Sequence, residues 1–232
     1  MAENIVSVGG VVMDSQANAP EVVVQRLPLY VRVLTQFESQ GVEMVSSEQL
    51  GAQLQMTPAQ IRKDLSYFGR FGKQGRGYNV HRLAAELKGI LGLDREWNAG
   101  LVGVGRLGRA IISYPGFAPE GFNIVSAFDA DESVAGTRIG HLVVDPVEMI
   151  PQKVQALSIR IGIVAVPAAD AQEVVGRLVD AGINAILNYA PYSPQVPTGV
   201  KVRSVDPVLA LQSMTFYLKQ AEQEGFAVSA RA

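Results

Sequence analysis

Gly103-Val104-Gly105-Arg106-Leu107-Gly108 carries the clearest chemical signal in this chain. The six residues follow a short apolar run from Ala99 and open a segment of helical character, in which Ala110 keeps the helix slim. An acid, Asp129, closes the next apolar run 21 residues after Gly108. Glycines so spaced between a strand and a helix, with an acid after the next strand, suit a dinucleotide. Gly103 permits the tight turn, Gly105 lets backbone approach a pyrophosphate, and Gly108 lets helix and strand pack closely. The helix N-terminus adds amide donors and the positive end of its dipole. Asp129 is expected to accept hydrogen bonds from the adenosine ribose hydroxyls. Ala130 and Asp131 follow, and no arginine occurs until Arg138. A 2′-phosphate would meet two acids, so NAD(H) is expected rather than NADP(H). The same turn fits a coenzyme A-binding relative, an alternative these residues leave open.

A second cluster is basic. Residues 58–88 hold seven bases, Arg62, Lys63, Arg70, Lys73, Arg76, Arg82 and Lys88, against Asp64 and Glu86, a net of +5. Ile61, Leu65 and Phe68 fall at i, i+4 and i+7 and form a core stripe. Arg62, Lys63 and Ser66 fall away from it, with Tyr67 at one border. A helix packed on one side and offering these groups on the other suits a major groove, where lysines take phosphates and an arginine reaches guanine. Gly69, Gly72, Gly75 and Gly77 then frame a basic wing with Lys73 and Arg76 near its tip. A thin basic ribbon fits a minor groove. The candidate DNA-binding residues are Ser47, Gln60, Arg62, Lys63, Ser66, Tyr67, Arg70, Lys73 and Arg76.

The elements that must position these groups change character near Trp97. Before it the pattern is helical. Leu27, Val31 and Leu34 share one face, and Gly41 ends that helix. Ser46 and Gln49 fit a capping box that opens a helix to about Gln55. Thr57, Pro58 and Gln60 give a second capping box with proline at the first helical position, for a helix running to about Phe68. Two short helices joined by a brief turn imply a helix-turn-helix. After Trp97, strand-like runs at Ala99–Val104, Phe122–Phe128, Ile159–Val166, Ile183–Leu187 and Val200–Val205 alternate with helical segments, Ala168–Ala181 among them. That alternation implies a parallel sheet with helices on both faces. Pro207–Glu224 reads as a helix apolar on most sides, which calls for cover, best supplied by a second subunit.

Composition narrows the chemistry. The 232 residues include no cysteine and two histidines, with 48% hydrophobic and 18% charged residues and a net charge of −2. That is enough apolar sequence for packed cores and too little charge for disorder. Thiol nucleophiles, disulfides and cysteine metal sites are excluded. The −2 averages over the basic segment and does not argue against nucleic acid. The first base is Arg26, so no basic leader is expected at the N-terminus, and the longest uncharged run, Ala181–Val200, is broken by Pro191, Pro194 and Pro197. A cytoplasmic protein with no membrane partner is expected. His141, in an expected short strand, reads as structural. With no cysteine and no separate substrate domain, catalysis lacks a seat. A binding protein is therefore expected rather than an enzyme, the alternative being an NAD-dependent oxidoreductase with a helical dimerisation arm.

Several motifs together resemble the redox-sensing transcriptional repressor Rex family. They are Gln25-Arg26-Leu27-Pro28-Leu29-Tyr30, Ile61 through Gly69, Gly75-Arg76-Gly77-Tyr78, Gly103 through Gly108, Tyr114-Pro115-Gly116-Phe117, and Ile186 through Pro191, in that order. The resemblance spans about Gln25 to Glu224. It implies an α/β protein with an N-terminal winged helix-turn-helix domain and a C-terminal Rossmann domain, a doubly wound parallel sheet, ending in a domain-swapped helix. The expected boundaries are a mobile tail at 1–19, the DNA-binding domain at 20–90, the NAD(H)-binding domain at 98–206 and the swapped helix at 207–225. It further implies a homodimer on double-stranded operator DNA, an AT-rich inverted repeat, with release by NADH. Cofactor contacts are expected from Gly103, Val104, Gly105, Arg106, Leu107, Gly108, Asp129, Val166, Pro167, Asn188, Tyr189 and Ala190. Arg32, Tyr114 and Asp206 match the family's redox switch. Two positions depart from the family pattern. Pro207 stands where some members carry phenylalanine, and Tyr189 where phenylalanine is common.

Overall fold

The computed structural model describes residues 19–72 and 76–223. The expected tail therefore lies outside the described residues except for Ala19. The chain divides into two units, Met1–Arg95 and Glu96–Ala232.

The first unit is built on α1 (Glu21–Ser39), β1 (Met44–Val45), α2 (Ser47–Leu54), α3 (Pro58–Ser66), β2 (Tyr78–Asn79) and α4 (Val80–Leu91). Helix α1 passes through Pro28, a residue that ordinarily breaks a helix interior. Pro28 is exposed, and the turn before it is held by buried Val23 and Leu27, so tertiary packing overrides local preference. Ser46 caps α2 in a full capping box with Gln49. The second box forms only by half. Thr57 Oγ1 accepts from the Gln60 amide, but the Gln60 side chain turns to Asp64, a charged acceptor one turn on. Gln55 ends α2 in the left-handed conformation, φ 54°. A side chain at Gly51 would collide with the Met56 carbonyl, so glycine lets the turn fold back under α2. The sequence reading named no helix between Tyr78 and Trp97, yet α4 occupies it. Its buried Val80, Leu83, Ala84 and Leu87 lie at i, i+3, i+4 and i+7, with Asn79 as cap. Leu27, Tyr30, Leu34, Leu50, Ile61, Leu65, Leu83 and Leu87 form the core.

The second unit contains β3 (Trp97–Val102), α5 (Arg106–Ser113), β4 (Phe122–Asp129), β5 (Arg138–Ile139), β6 (Leu142–Pro146), α6 (Ile150–Ala156), β7 (Ile161–Val164), α7 (Ala171–Asp180), β8 (Ala185–Asn188), β9 (Lys201–Ser204) and α8 (Pro207–Gln223). The sheet order is β5-β6-β4-β3-β7-β8-β9. Every neighbouring pair is parallel except the β5–β6 hairpin at one edge. Without β5, this is the doubly wound arrangement, which reverses direction between β3 and β7. One apolar cluster gathers α6 and α7 residues such as Ile150, Val175 and Leu178 against Phe128 and Val164. The other gathers Ile111 of α5 with Leu101, Ala127 and Val144. His141 lies in the turn before β6 rather than in a strand, with Nε2 3.3 Å from the Ile124 carbonyl oxygen. Helix α8 buries none of its residues.

Candidate functional site

At the reversal point the carboxyl ends of β3 and β7 open a crevice. A cavity of about 330 Å³ is lined there by Gly103, Val104, Gly105, Asp129, Asp131, Val166, Pro167, Asp170 and a set of apolar side chains including Val134, Val147 and Val174. Gly103 has φ +96°, and a Cβ there would sit 2.5 Å from the Ala165 carbonyl oxygen. A Cβ on Gly108 would collide with the Gly103 carbonyl, so this glycine sets how closely α5 meets the turn. A Cβ on Gly105 would meet nothing within 4 Å, which leaves backbone bare to the cavity. No side chain caps the first turn of α5, so its amides remain available to an anion.

Asp129 does more than face the cavity. Its Oδ2 accepts a 2.7 Å hydrogen bond from the Val104 amide and its Oδ1 a 2.9 Å bond from the Asp131 amide. The carboxylate thus ties the glycine turn to the end of β4 and retains lone pairs for a further donor. Arg109 Nε donates to the Val104 carbonyl at 3.1 Å and steadies the same turn. Arg106 and Leu107 are exposed at the start of α5. The glycine turn, the uncapped helix and the carboxylate fit the diphosphate and ribose of a dinucleotide, and the valines fit a flat apolar ring.

Asn188, Tyr189 and Ala190 lie at the carboxyl end of β8 and do not line this cavity. Asn188 is fully buried, and its amide is spent on the loop that follows. Nδ2 donates to the Ala190 and Tyr192 carbonyls, and Oδ1 accepts from the Ala190 amide. The apolar liners Val134, Val147 and Val174 escaped the sequence reading. They come from three separate segments, and nothing local marks them.

In the first unit a recess of about 700 Å³ lies between the start of α2, the outer face of α3 and the segment after it. Ser46, Ser47, Glu48, Arg62, Ser66, Arg70, Phe71 and Tyr78 are among its lining residues. Arg62, Lys63, Ser66, Arg70 and Arg76 are exposed, and Tyr67 is half-buried. Lys73 lies outside the described residues. Two candidates are turned inward. Ser47 is buried and its Oγ accepts from Arg62 Nη1 at 2.9 Å, so it acts on Arg62. Gln60 donates to Asp64 at 2.6 Å. Within the glycine segment, Gly77 has φ +71°, and a Cβ there would lie 2.5 Å from the Val45 carbonyl oxygen.

Asp64 faces the core, not the groove. It is fully buried and accepts from Arg26 Nε at 2.6 Å, Arg26 Nη2 at 2.8 Å, the Tyr30 hydroxyl at 2.7 Å and Gln60. Burial pushes its carboxyl up, but the Arg26, Tyr30 and Gln60 hydrogen bonds together hold it below the usual carboxylate range. Burial and the bond to Asp64 push the Tyr30 hydroxyl up. The acid counted against the basic segment is therefore absent from its surface.

The switch residues are placed as follows. Arg32 is exposed on α1. Tyr114 is exposed, its ring 5.2 Å from Phe117 and edge-on to it, and lies over Gly116. Asp206 is half-buried, and its Oδ1 accepts from the Val208 amide at 2.9 Å at the start of α8.

The fold and these sites define a helix-turn-helix unit joined to a dinucleotide-type Rossmann unit. A family profile described as "Putative DNA-binding protein N-terminus" matches residues 18–66, and one described as "CoA binding domain" matches residues 94–192. The redox-sensing transcriptional repressor Rex of Roseiflexus sp. (strain RS-1) is 52% identical over 206 residues, which cover 89% of this chain and 94% of that protein. The Rex repressor of Chloroflexus aurantiacus (strain ATCC 29366 / DSM 635 / J-10-fl) is 51% identical over 212 residues, 91% of this chain and 100% of that protein. The chain belongs to the Rex family of redox-sensing transcriptional repressors. Among solved structures, RSP in complex with beta-NAD+ and operator DNA is similar with TM-score 0.83 and 37% identity, covering 92% of this chain and 98% of that one. RSP in complex with beta-NADH gives TM-score 0.79 and 36% identity, covering 90% and 97%.

Proposed function

We propose that this chain is a transcriptional repressor that holds operator DNA when NADH is scarce and leaves it when NADH binds. The observation that carries the reading is the pairing, in one chain, of an exposed Arg62–Lys63–Ser66 face with a bare glycine turn tied to Asp129. The likeness to RSP, crystallised with operator DNA and with each form of the nucleotide, supports it.

Arg62, Lys63 and Ser66 would meet the major groove, and Arg70 and Arg76 the backbone beside it. Gly103, Gly105 and the first amides of α5 would hold a diphosphate, while Asp129 holds a ribose and, with Asp131, repels a 2′-phosphate. Bound NAD(H) supplies the signal, since its oxidised ring carries a positive charge that its reduced ring lacks. Arg32, Tyr114 and Asp206 would exchange partners between the two states of a homodimer, and α8 would pack on the second copy. The chain acts by binding rather than catalysis, in the cytoplasm where operator DNA lies.

The test is fluorescence anisotropy of the full chain on an AT-rich palindromic duplex at moderate salt, titrated with NADH, NAD⁺ or coenzyme A. Specific binding, relieved by NADH and far less by NAD⁺, is expected. No specific binding would overturn the repressor reading, and equal relief by both nucleotides would overturn its redox part. Relief by coenzyme A alone would favour the second reading, which the match to the coenzyme A-binding profile raises. Arg62→Ala should lose duplex affinity and keep nucleotide binding. Asp129→Ala should do the opposite.

A further inference from the structure

Glu48 is out of place on a surface made for phosphate. Of the described residues that line the recess beside α3, it alone carries a carboxylate. It lies in the first turn of α2, where helix amides would otherwise greet a phosphate. It is exposed, and its Oε1 is 3.9 Å from Arg62 Nη1. The same nitrogen donates to Ser47 Oγ at 2.9 Å, so Arg62 is approached by two neighbours from one helix start. The carboxyl is held below its usual range by its own backbone amide and by Ser46, with a contribution from the Arg62 charge. It is therefore ionised wherever DNA binding is measured.

A negative charge here opposes every nearby phosphate, whatever the sequence. Such a charge lowers affinity for DNA in general and is useful only if it improves discrimination. An arginine reads guanine through a planar fork aimed at O6 and N7, and a fork left to swing finds phosphate instead. Ser47 holds Arg62 Nη1 by a hydrogen bond, the Glu48 carboxylate lies within ion-pair distance of the same nitrogen, and Arg62 itself lines the recess.

We propose that Glu48 is a specificity-determining residue of the DNA interface, one that keeps Arg62 on a guanine edge and penalises contact with the phosphate backbone. The proposal rests on the DNA-binding reading above and goes beyond it, because it assigns an acid the task of rejecting wrong sequences.

The experiment uses the full-length chain and two probes. One is a duplex selected by the wild-type protein from a randomised library, and the other is a scrambled duplex of equal length. In Glu48→Gln, affinity for the scrambled duplex should rise and the selected-to-scrambled ratio should fall by about fivefold, the scale of an exposed ion pair. The slope of log affinity against log salt on the scrambled duplex should steepen by about one, as Arg62 takes up a phosphate. Single 7-deazaguanine replacements in the selected duplex should reveal one guanine per half-site that the wild type needs and Glu48→Gln no longer does. A merely structural defect would weaken both probes and leave the salt slope alone. Glu48→Asp, one methylene shorter, separates charge from reach. It should keep scrambled-duplex affinity low but lose the guanine dependence. An unchanged ratio and salt slope in Glu48→Gln would overturn the proposal while leaving the DNA-binding reading intact. A wild type that selects no duplex would overturn both.

Discussion

Asp64 shows what a single buried charge does for the helix proposed to read DNA. It joins α3 to Arg26 and Tyr30 of α1, so the face proposed to meet DNA is braced from behind. Asp64→Asn should destabilise the unit by about 2–3 kcal/mol, less than for a fully buried pair because Arg26 keeps some access to water. Chemical denaturation measures this. The carboxyl is lowered in the folded state, so its stabilising effect is complete above the unfolded value of about 4 and fades as pH falls through the lower folded value. The gap between wild type and variant should therefore be constant near neutrality and shrink in acid. A gap that widened in acid would contradict the arrangement. Arg26 stands 38 residues from Asp64, and no local pattern joins them, so the sequence reading counted Asp64 only as a charge against the basic segment. The glycines at 103, 105 and 108 were legible, because each answers a local demand of backbone geometry.

Between elements, small residues set the spacing. Gly51 lets the turn after α2 pass beneath it, and Gly51→Ala must push the Met56 carbonyl aside. We expect a loss of about 1–3 kcal/mol, as for other overpacked sites, with weaker duplex binding and unaltered nucleotide binding. Gly116 acts on a side chain instead. A Cβ there would collide with the exposed Tyr114 ring, which can swing away where backbone cannot. Gly116→Ala should keep its melting temperature and duplex affinity but shift the NADH concentration that releases DNA. An unshifted titration would show that the ring position carries no signal. Helices α2 and α3 were legible in the sequence because their caps are local, whereas α4 was missed although Asn79 caps it. Strand ends were read up to two residues off, as with Ile161–Val164 inside the expected Ile159–Val166, because pairing rather than composition ends a strand. The short helix α6 opens at Ile150 with Pro151 next and gave too brief a period to read.

At the scale of the molecule, α8 is the unresolved debt of the fold. Leu209, Leu211, Met214, Phe216, Tyr217 and Leu218 are all exposed on a 17-residue helix that buries nothing. An isolated helix of that length is marginal in water, and each large apolar side chain gains about 1.5–3 kcal/mol on burial. The double variant Leu211→Glu/Leu218→Glu should sediment as a monomer where the wild type sediments as a dimer. A wild type already monomeric at micromolar concentration would sink the dimer reading. The doubly wound topology was legible, since alternating strands and helices admit few parallel arrangements. What covers α8 was legible only as a need, because none of the described residues of α8 is buried.

One bond at the start of that helix reaches further. Asp206, the proposed switch acid, also accepts from the Val208 amide and so caps α8. A group that leaves a cap weakens its helix by about 1 kcal/mol, and coupling between two equilibria runs equally in both directions. Sensing and assembly would then share one carboxylate. The redox poise at which genes are released would depend on how many copies of the protein a cell holds, so that expression level itself becomes a dial on the sensor.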